Sequence, residues 1–99
     1  MISIAFAEAK FERGRLLMTR AIADMLARQP DAAGTITLCL TRHLSGDCGD
    51  MCEDDVLANL HAMLNGERIF SSYQTAYGKI WIITEADRSA TTVLFPEDY

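Results

Sequence analysis

The chain has 99 residues, 49 % of them apolar, and a net charge of −5; that is enough apolar material for one core and a single domain over 1–99, and too much for a disordered chain. An acidic balance excludes a protein that grips DNA or an anionic membrane through a basic face, so neither direct nucleic-acid binding nor membrane binding is expected. Three cysteines, no apolar run near the roughly 18 residues of a membrane span, and a start that meets Glu8 and Lys10 too early for a secretion signal point to a reducing cytoplasm.

Residues 1–12 carry two patterns: Ile2, Ile4 and Phe6 alternate like a strand, whereas Ala5, Ala7 and Ala9 suit a helix. Gly14 punctuates, and 15–19 reads as a short strand. Ile22, Met25 and Leu26 then fall at helical spacing before Pro30, which predicts a helix over 21–28. The segment 31–44 is double-valued. Thr35 to Thr41 alternates and is β-branched, so propensity reads strand. Ile36, Leu40, His43 and Leu44 also lie on one helical stripe, with Asp31 placed to cap it, and both readings stay open here.

Ser45 to Asp50 is a loop by its glycines and aspartates. The clearest helix follows, over 51–64, with Asp50 as N-cap and Glu53 three residues on, as in a capping box. Its expected buried stripe is Leu57, Leu60, His61 and Leu64, widened by Val56 and Met63, and Asn65-Gly66 stops it. Strands are predicted over 67–73, 79–85 and 91–95. The middle one contains Ile80-Trp81-Ile82-Ile83, an unbroken apolar run that reads as a strand covered on both faces, with Trp81 in the core. Short loops between successive strands make an antiparallel meander. The expected architecture is therefore α+β: an antiparallel sheet of three strands, or four with 15–19, covered by two or three helices, the 51–64 helix among them.

Three stretches resemble a group of small bacterial proteins found on plasmids and integrated mobile elements, some labelled only as plasmid-related: Gly14 to Arg20; Arg42 to Asp50 with Glu53, Asp54 and Asn59; and Lys79 to Pro96. The resemblance carries over no catalytic residue. It implies more helix-prone residues where this chain has 31–44, which favours the helix there. It also implies a tryptophan in place of Cys48, which makes that position one of packing.

Candidate chemistry is sparse. His43, Cys48 and Cys52 read H-x4-C-x3-C, short of the four ligands zinc takes, and His61 would have to supply the fourth. A Cys48–Cys52 disulfide is disfavoured in a cytosol. The acidic run Asp47, Asp50, Glu53, Asp54, Asp55 lacks the spacing of a calcium loop and suits a helix start. Cys39, within an apolar stretch, reads as an inert thiol. The loop Glu85, Asp87, Arg88 leaves a central strand and reads equally as a recognition loop or as a tight, ion-paired connection.

With no complete catalytic set and no cofactor motif, the residues favour a non-catalytic protein-interaction module. Its expected partner is a protein, itself as a homodimer included, and its candidate binding residues are His43, Asp47, Asp50, Glu85, Asp87 and Arg88. Two alternatives stand beside it. One is an inhibitor of a host defence nuclease, drawn from the acidic row and the mobile-element resemblance. The other is a small metalloprotein or enzyme built on His43, Cys48 and Cys52.

Overall fold

The computed structural model describes residues 11–47, 49–50 and 53–99, and of 53–56 the backbone alone. In chain order the elements are β1 (Arg15–Met18), α1 (Arg20–Arg28), α2 (Ala32–Leu44), α3 (Glu53–Asn65), β2 (Ile69–Thr75), β3 (Gly78–Thr84) and β4 (Ala90–Leu94), followed by a 3-10 turn at Pro96–Asp98. The two readings of residues 1–10 and the helix start at 51–52 lie outside the described residues. No helix among the described residues is long and apolar enough to cross a membrane.

The class is α+β, and β2, β3 and β4 form the expected meander. The sheet is not antiparallel throughout. Its order is β1-β4-β3-β2, and β1 runs parallel to β4. No hairpin constrains β1: three helices separate it from β2, and a connection of that length permits a parallel neighbour.

β3 is interior, and its alternation serves both faces. Ile80 and Ile82 are fully buried toward α1 and α2, among Ile22, Met25, Ile36 and Leu40. Ile83 and Leu94 are buried on the far face. Trp81 is half-buried there rather than a core residue, packed edge-on between Phe70 (ring centroids 4.8 Å apart) and Tyr99 (5.8 Å).

The double-valued segment is helical. In α2 the stripe Ala32, Ile36, Cys39, Leu40, His43 and Leu44 is buried, and burial decides against β propensity. The exposed Thr37 and Thr41 donate their hydroxyls to the carbonyls of Ala33 and Thr37, both at 2.9 Å, which accommodates them on a helix. Asp31 precedes α2 but makes no side-chain cap bond.

α3 departs from its expected packing. The sheet face is covered by α1 and α2, and α3 lies against β2, an outer strand. Its buried residues among those described are Asn59 and Ala62, whereas Leu57, Leu60 and Leu64 are 57 %, 45 % and 86 % exposed. His61 is exposed beside Glu67 at 3.8 Å rather than set at the core edge. The physical reason is a polar one: α3 is positioned by the hydrogen bonds that Asn59 makes to the edge of the sheet at Phe70. The helix ends as expected, with Gly66 at φ 68 and Glu67 N–H donating to Ala62 O at 2.9 Å.

Gly14 has φ 62 and runs so close to the Arg88 and Ser89 backbone that a Cβ would collide with it. Gly66 also has positive φ but faces open space. Gly14→Ala should therefore cost at least about 2 kcal/mol, and Gly66→Ala only the left-handed strain of about 1 kcal/mol. Urea unfolding of the two variants checks the difference; equal losses would contradict the close approach at Gly14.

Candidate functional site

Of the candidate residues, His43 is the most deeply placed, at 1 % exposure on the last turn of α2. Nδ1 lies 2.5 Å from Ser71 Oγ on β2, and Nε2 lies 2.8 Å from Thr84 Oγ1 on β3. Thr84 Oγ1 is 2.7 Å from Thr91 Oγ1 on β4, and Thr91 donates to the Arg13 carbonyl at 2.7 Å. Ser71, Thr84 and Thr91 are all fully buried.

The direction of this chain follows from its far end. A carbonyl only accepts, so the single Thr91 proton goes to Arg13 O. Thr91 oxygen then accepts from Thr84, and Thr84 oxygen accepts from His43 Nε2–H. That leaves Nδ1 unprotonated, as the acceptor for the Ser71 hydroxyl. One relay thus joins α2 to β2, β3, β4 and the lead-in to β1. A proton on Nδ1 would displace the Ser71 donor, and burial pushes the His43 pKa down to about 3.

Ser71 and His43 have the separation of a nucleophile and its base. Neither reaches solvent, and no carboxylate orients the imidazole among the described residues. With both ring nitrogens engaged, His43 has no lone pair for a metal. Cys48 and Cys52, the other members of that set, lie outside the described residues, as do the disulfide and packing readings of Cys48. No group of His, Cys, Asp or Glu suited to a metal ion occurs among the described residues. Burial raises the Cys39 thiol pKa, as suits an inert cysteine.

Asp47 and Asp50 belong to a loop that closes one edge of the sheet. Phe70, Ser72 and Gln74 turn their backbone groups outward from β2. Asn59 of α3 takes both groups of Phe70: Phe70 N–H donates to Asn59 Oδ1 at 3.0 Å, and Asn59 Nδ2 donates to Phe70 O. Asp50 N–H donates to Ser72 O at 2.7 Å, and Gln74 N–H donates to Asp50 Oδ2 at 2.6 Å. Asp50 is therefore an edge cap; its expected role as helix N-cap bears on residues 51–52, outside those described. Gly49 bridges to Ser72 with φ 79, where a side chain would strike the Ser72 backbone and the Tyr73 ring.

Asp47 sits on the outside of this loop. Arg42 Nε donates to its carboxylate at 2.8 Å and Nη2 at 3.2 Å, holding its pKa below the usual carboxylate range, with Gly49 N–H assisting. Tyr73 O–H donates to Asp47 O at 2.5 Å, under the Arg42 guanidinium.

Arg88 is a clamp. At φ 60 it ends the turn between β3 and β4, and its Nη1 donates to the carbonyls of Glu67 (2.6 Å), Glu85 (3.1 Å) and Ala86 (3.2 Å). Nη2 reaches Ala62 O at 3.2 Å, so the cation lies at the C-terminus of α3, where the helix dipole favours it. The predicted ion pairs of Arg88 with Glu85 or Asp87 are replaced by these carbonyl contacts. Asp87 instead has its pKa lowered by the Ser89 side chain first and by Ser89 N–H, which donates to it at 2.9 Å, and Glu85 lies 3.8 Å from Arg68.

The six candidates do not form one site. Asp47 and Asp50 lie at the Tyr73–Gln74 end of β2, and Glu85, Asp87 and Arg88 at the Ile69 end, about 15 Å away along the strand. The residues that fall outside the sequence reading are Ser71, Thr84, Thr91 and the buried side of Asn59. Their signal was a polar side chain at an inward strand or helix position, where an apolar one is the rule.

Two apolar patches are also exposed. The stripe Leu57, Leu60, Leu64 borders a groove of about 360 Å³ lined by Ser45, Gly46, Leu60, Met63 and Leu64. At the opposite end of the sheet, Leu16, Leu17 and Met18 are each 40 % exposed or more. No protein-family model matches the chain, and neither a curated protein nor a solved structure matches it.

Two outcomes test this geometry. Unfolded His43 protonates near 6.5 but folded His43 only near 3. Stability is thus complete above the unfolded value and falls as pH drops through that window, by about 1.4 kcal/mol per unit. Asp47 and Asp87 add their losses only below about pH 4. Urea unfolding at pH about 6 and about 4.5 should differ by about 2 kcal/mol, and equal stabilities would sink the buried neutral imidazole. Separately, Arg88→Ala should lose about 1–3 kcal/mol through unmet carbonyls. Arg88→Gly should lose less, since glycine holds this φ without strain; thermal melts give the order.

Proposed function

We propose that this protein is a non-catalytic interaction module, of mobile-element type, that presents the α3 leucine stripe to a protein partner. The observation that carries this reading is Leu57, Leu60 and Leu64 facing outward at helical spacing while Asn59 fixes the opposite side of the same helix to the sheet. Burying three leucines would stabilise a helix by several kcal/mol, about 1.5–3 each. Their exposure on a chain with apolar residues to spare marks a surface left for another molecule. The i, i+3, i+7 spacing suits a partner helix or an apolar ridge laid along α3.

The polar candidates support the same reading by default of their own. His43, Asp50 and Arg88 serve the fold, and the exposed acids Asp47 and Asp87 are occupied by Arg42 and Ser89. The nuclease-inhibitor alternative draws on a row that includes Asp47 and Asp50, both already engaged.

A Leu60→Glu, Leu64→Glu double variant tests the proposal. It should leave stability within about 0.5 kcal/mol, as surface changes do, and abolish co-purification of the partner from the native host. A loss of several kcal/mol, or partner capture unchanged, would overturn it.

A further inference from the structure

The two edges of the sheet are treated differently. On β2, Asn59 meets both outward groups of Phe70, and Asp50 meets the Ser72 carbonyl and the Gln74 N–H. On β1, Arg15 and Thr19 turn their N–H groups to Ser89 O and Val93 O, at 3.0 and 3.1 Å, so Leu16 and Met18 turn theirs away from the sheet. Nothing among the described residues meets them. Natural sheets blunt an open edge with proline, inward charge or a covering segment. This one carries Leu16, Leu17 and Met18, all exposed.

We infer that β1 pairs antiparallel with β1 of a second copy, giving a two-fold dimer with one continuous eight-stranded sheet. This deepens the interaction reading above by assigning the second apolar surface to self-association. The register is set by the backbone. Only Leu16 and Met18 have outward groups, so Leu16 of one protomer exchanges both hydrogen bonds with Met18 of its partner. Leu17 then meets its own copy on the axis, and Arg15 lies opposite Thr19.

Charge fits that register. Arg15 is exposed with no ion-pair partner among the described residues. Thr19 donates its hydroxyl to Asp98 Oδ2 at 2.7 Å, and Phe95 N–H donates to the same oxygen at 3.0 Å, which leaves Oδ1 of an exposed carboxylate beside Thr19. Side chains opposite each other at a non-hydrogen-bonded pair are at their closest, so each Arg15 reaches the Asp98 held beside the Thr19 it faces, twice by symmetry. Assembly stops at two because the outer edges of the joined sheet are the β2 strands, where Asn59 and Asp50 already occupy the ladder positions of Phe70, Ser72 and Gln74, and an isologous contact closes on itself.

Sedimentation equilibrium from micromolar to hundreds of micromolar should give twice the 11.0 kDa chain mass. Arg15→Glu and Asp98→Lys should each be monomeric alone. Mixed, they should form a dimer, because each two-fold contact then holds one native and one reversed pair. Leu16→Pro removes an N–H that points away from β4, so it should fold and remain monomeric. In the wild type, amide exchange at Leu16 and Met18 should slow as concentration rises. A wild-type monomer throughout, a dimer that survives both Arg15→Glu and Leu16→Pro, or a mixture that stays monomeric would each overturn the dimer. A wild-type monomer that still binds its partner through the α3 stripe would do so while leaving the proposed function standing.

Discussion

The relay through His43 is the constraint on which the rest of the structure depends. Apolar packing is tolerant of small shifts, because one buried methyl resembles another. A chain of single-proton hydroxyls is not, since each oxygen has one donor and one acceptor to meet and all are out of reach of water. A slip of one residue in β3 or β4 would turn Thr84 or Thr91 to the other face and strand His43. The relay therefore sets the register of three strands, the height of α2 above them, and the point at which the chain enters β1.

A second polar economy governs the outline of the molecule. The β2 edge is closed by side chains and a loop rather than by another strand: Asn59 stands in for a peptide group opposite Phe70, and Asp50 serves Ser72 and Gln74. That draws α3 to the side of the sheet and turns its leucines outward. Arg88 finishes the arrangement by gathering carbonyls from the end of α3 and the β3–β4 turn. Most groups that a reader of the sequence would nominate for chemistry are thereby occupied in holding the fold. Among the described residues the exposed apolar surfaces are a helix stripe at one edge of the sheet and strand β1 at the other.

Much of this was legible in the residues. The α+β class, the meander, the interior strand Gly78–Thr84 and the helices at α1 and α3 follow from period, β-branching and punctuation, which are local properties. The segment 31–44 was not decidable by propensity, because Ile36 and Leu40 satisfy both periods. Burial of His43, Leu44 and Cys39 on the same stripe, with Leu38 at 59 % exposure, settled it as a helix.

Three things belonged to tertiary structure alone. The parallel placement of β1 depends on where three helices deliver the chain, which no local pattern records. The outward turn of Leu57, Leu60 and Leu64 depends on Asn59 meeting a backbone eleven residues away, against a stripe that by amphipathicity alone faces inward. The separation of Asp47 and Asp50 from Glu85, Asp87 and Arg88 depends on strand length between them. Sequence determines which groups seek burial or a hydrogen-bond partner; only the folded chain decides which partner each one finds, because those partners come from segments far apart in the chain.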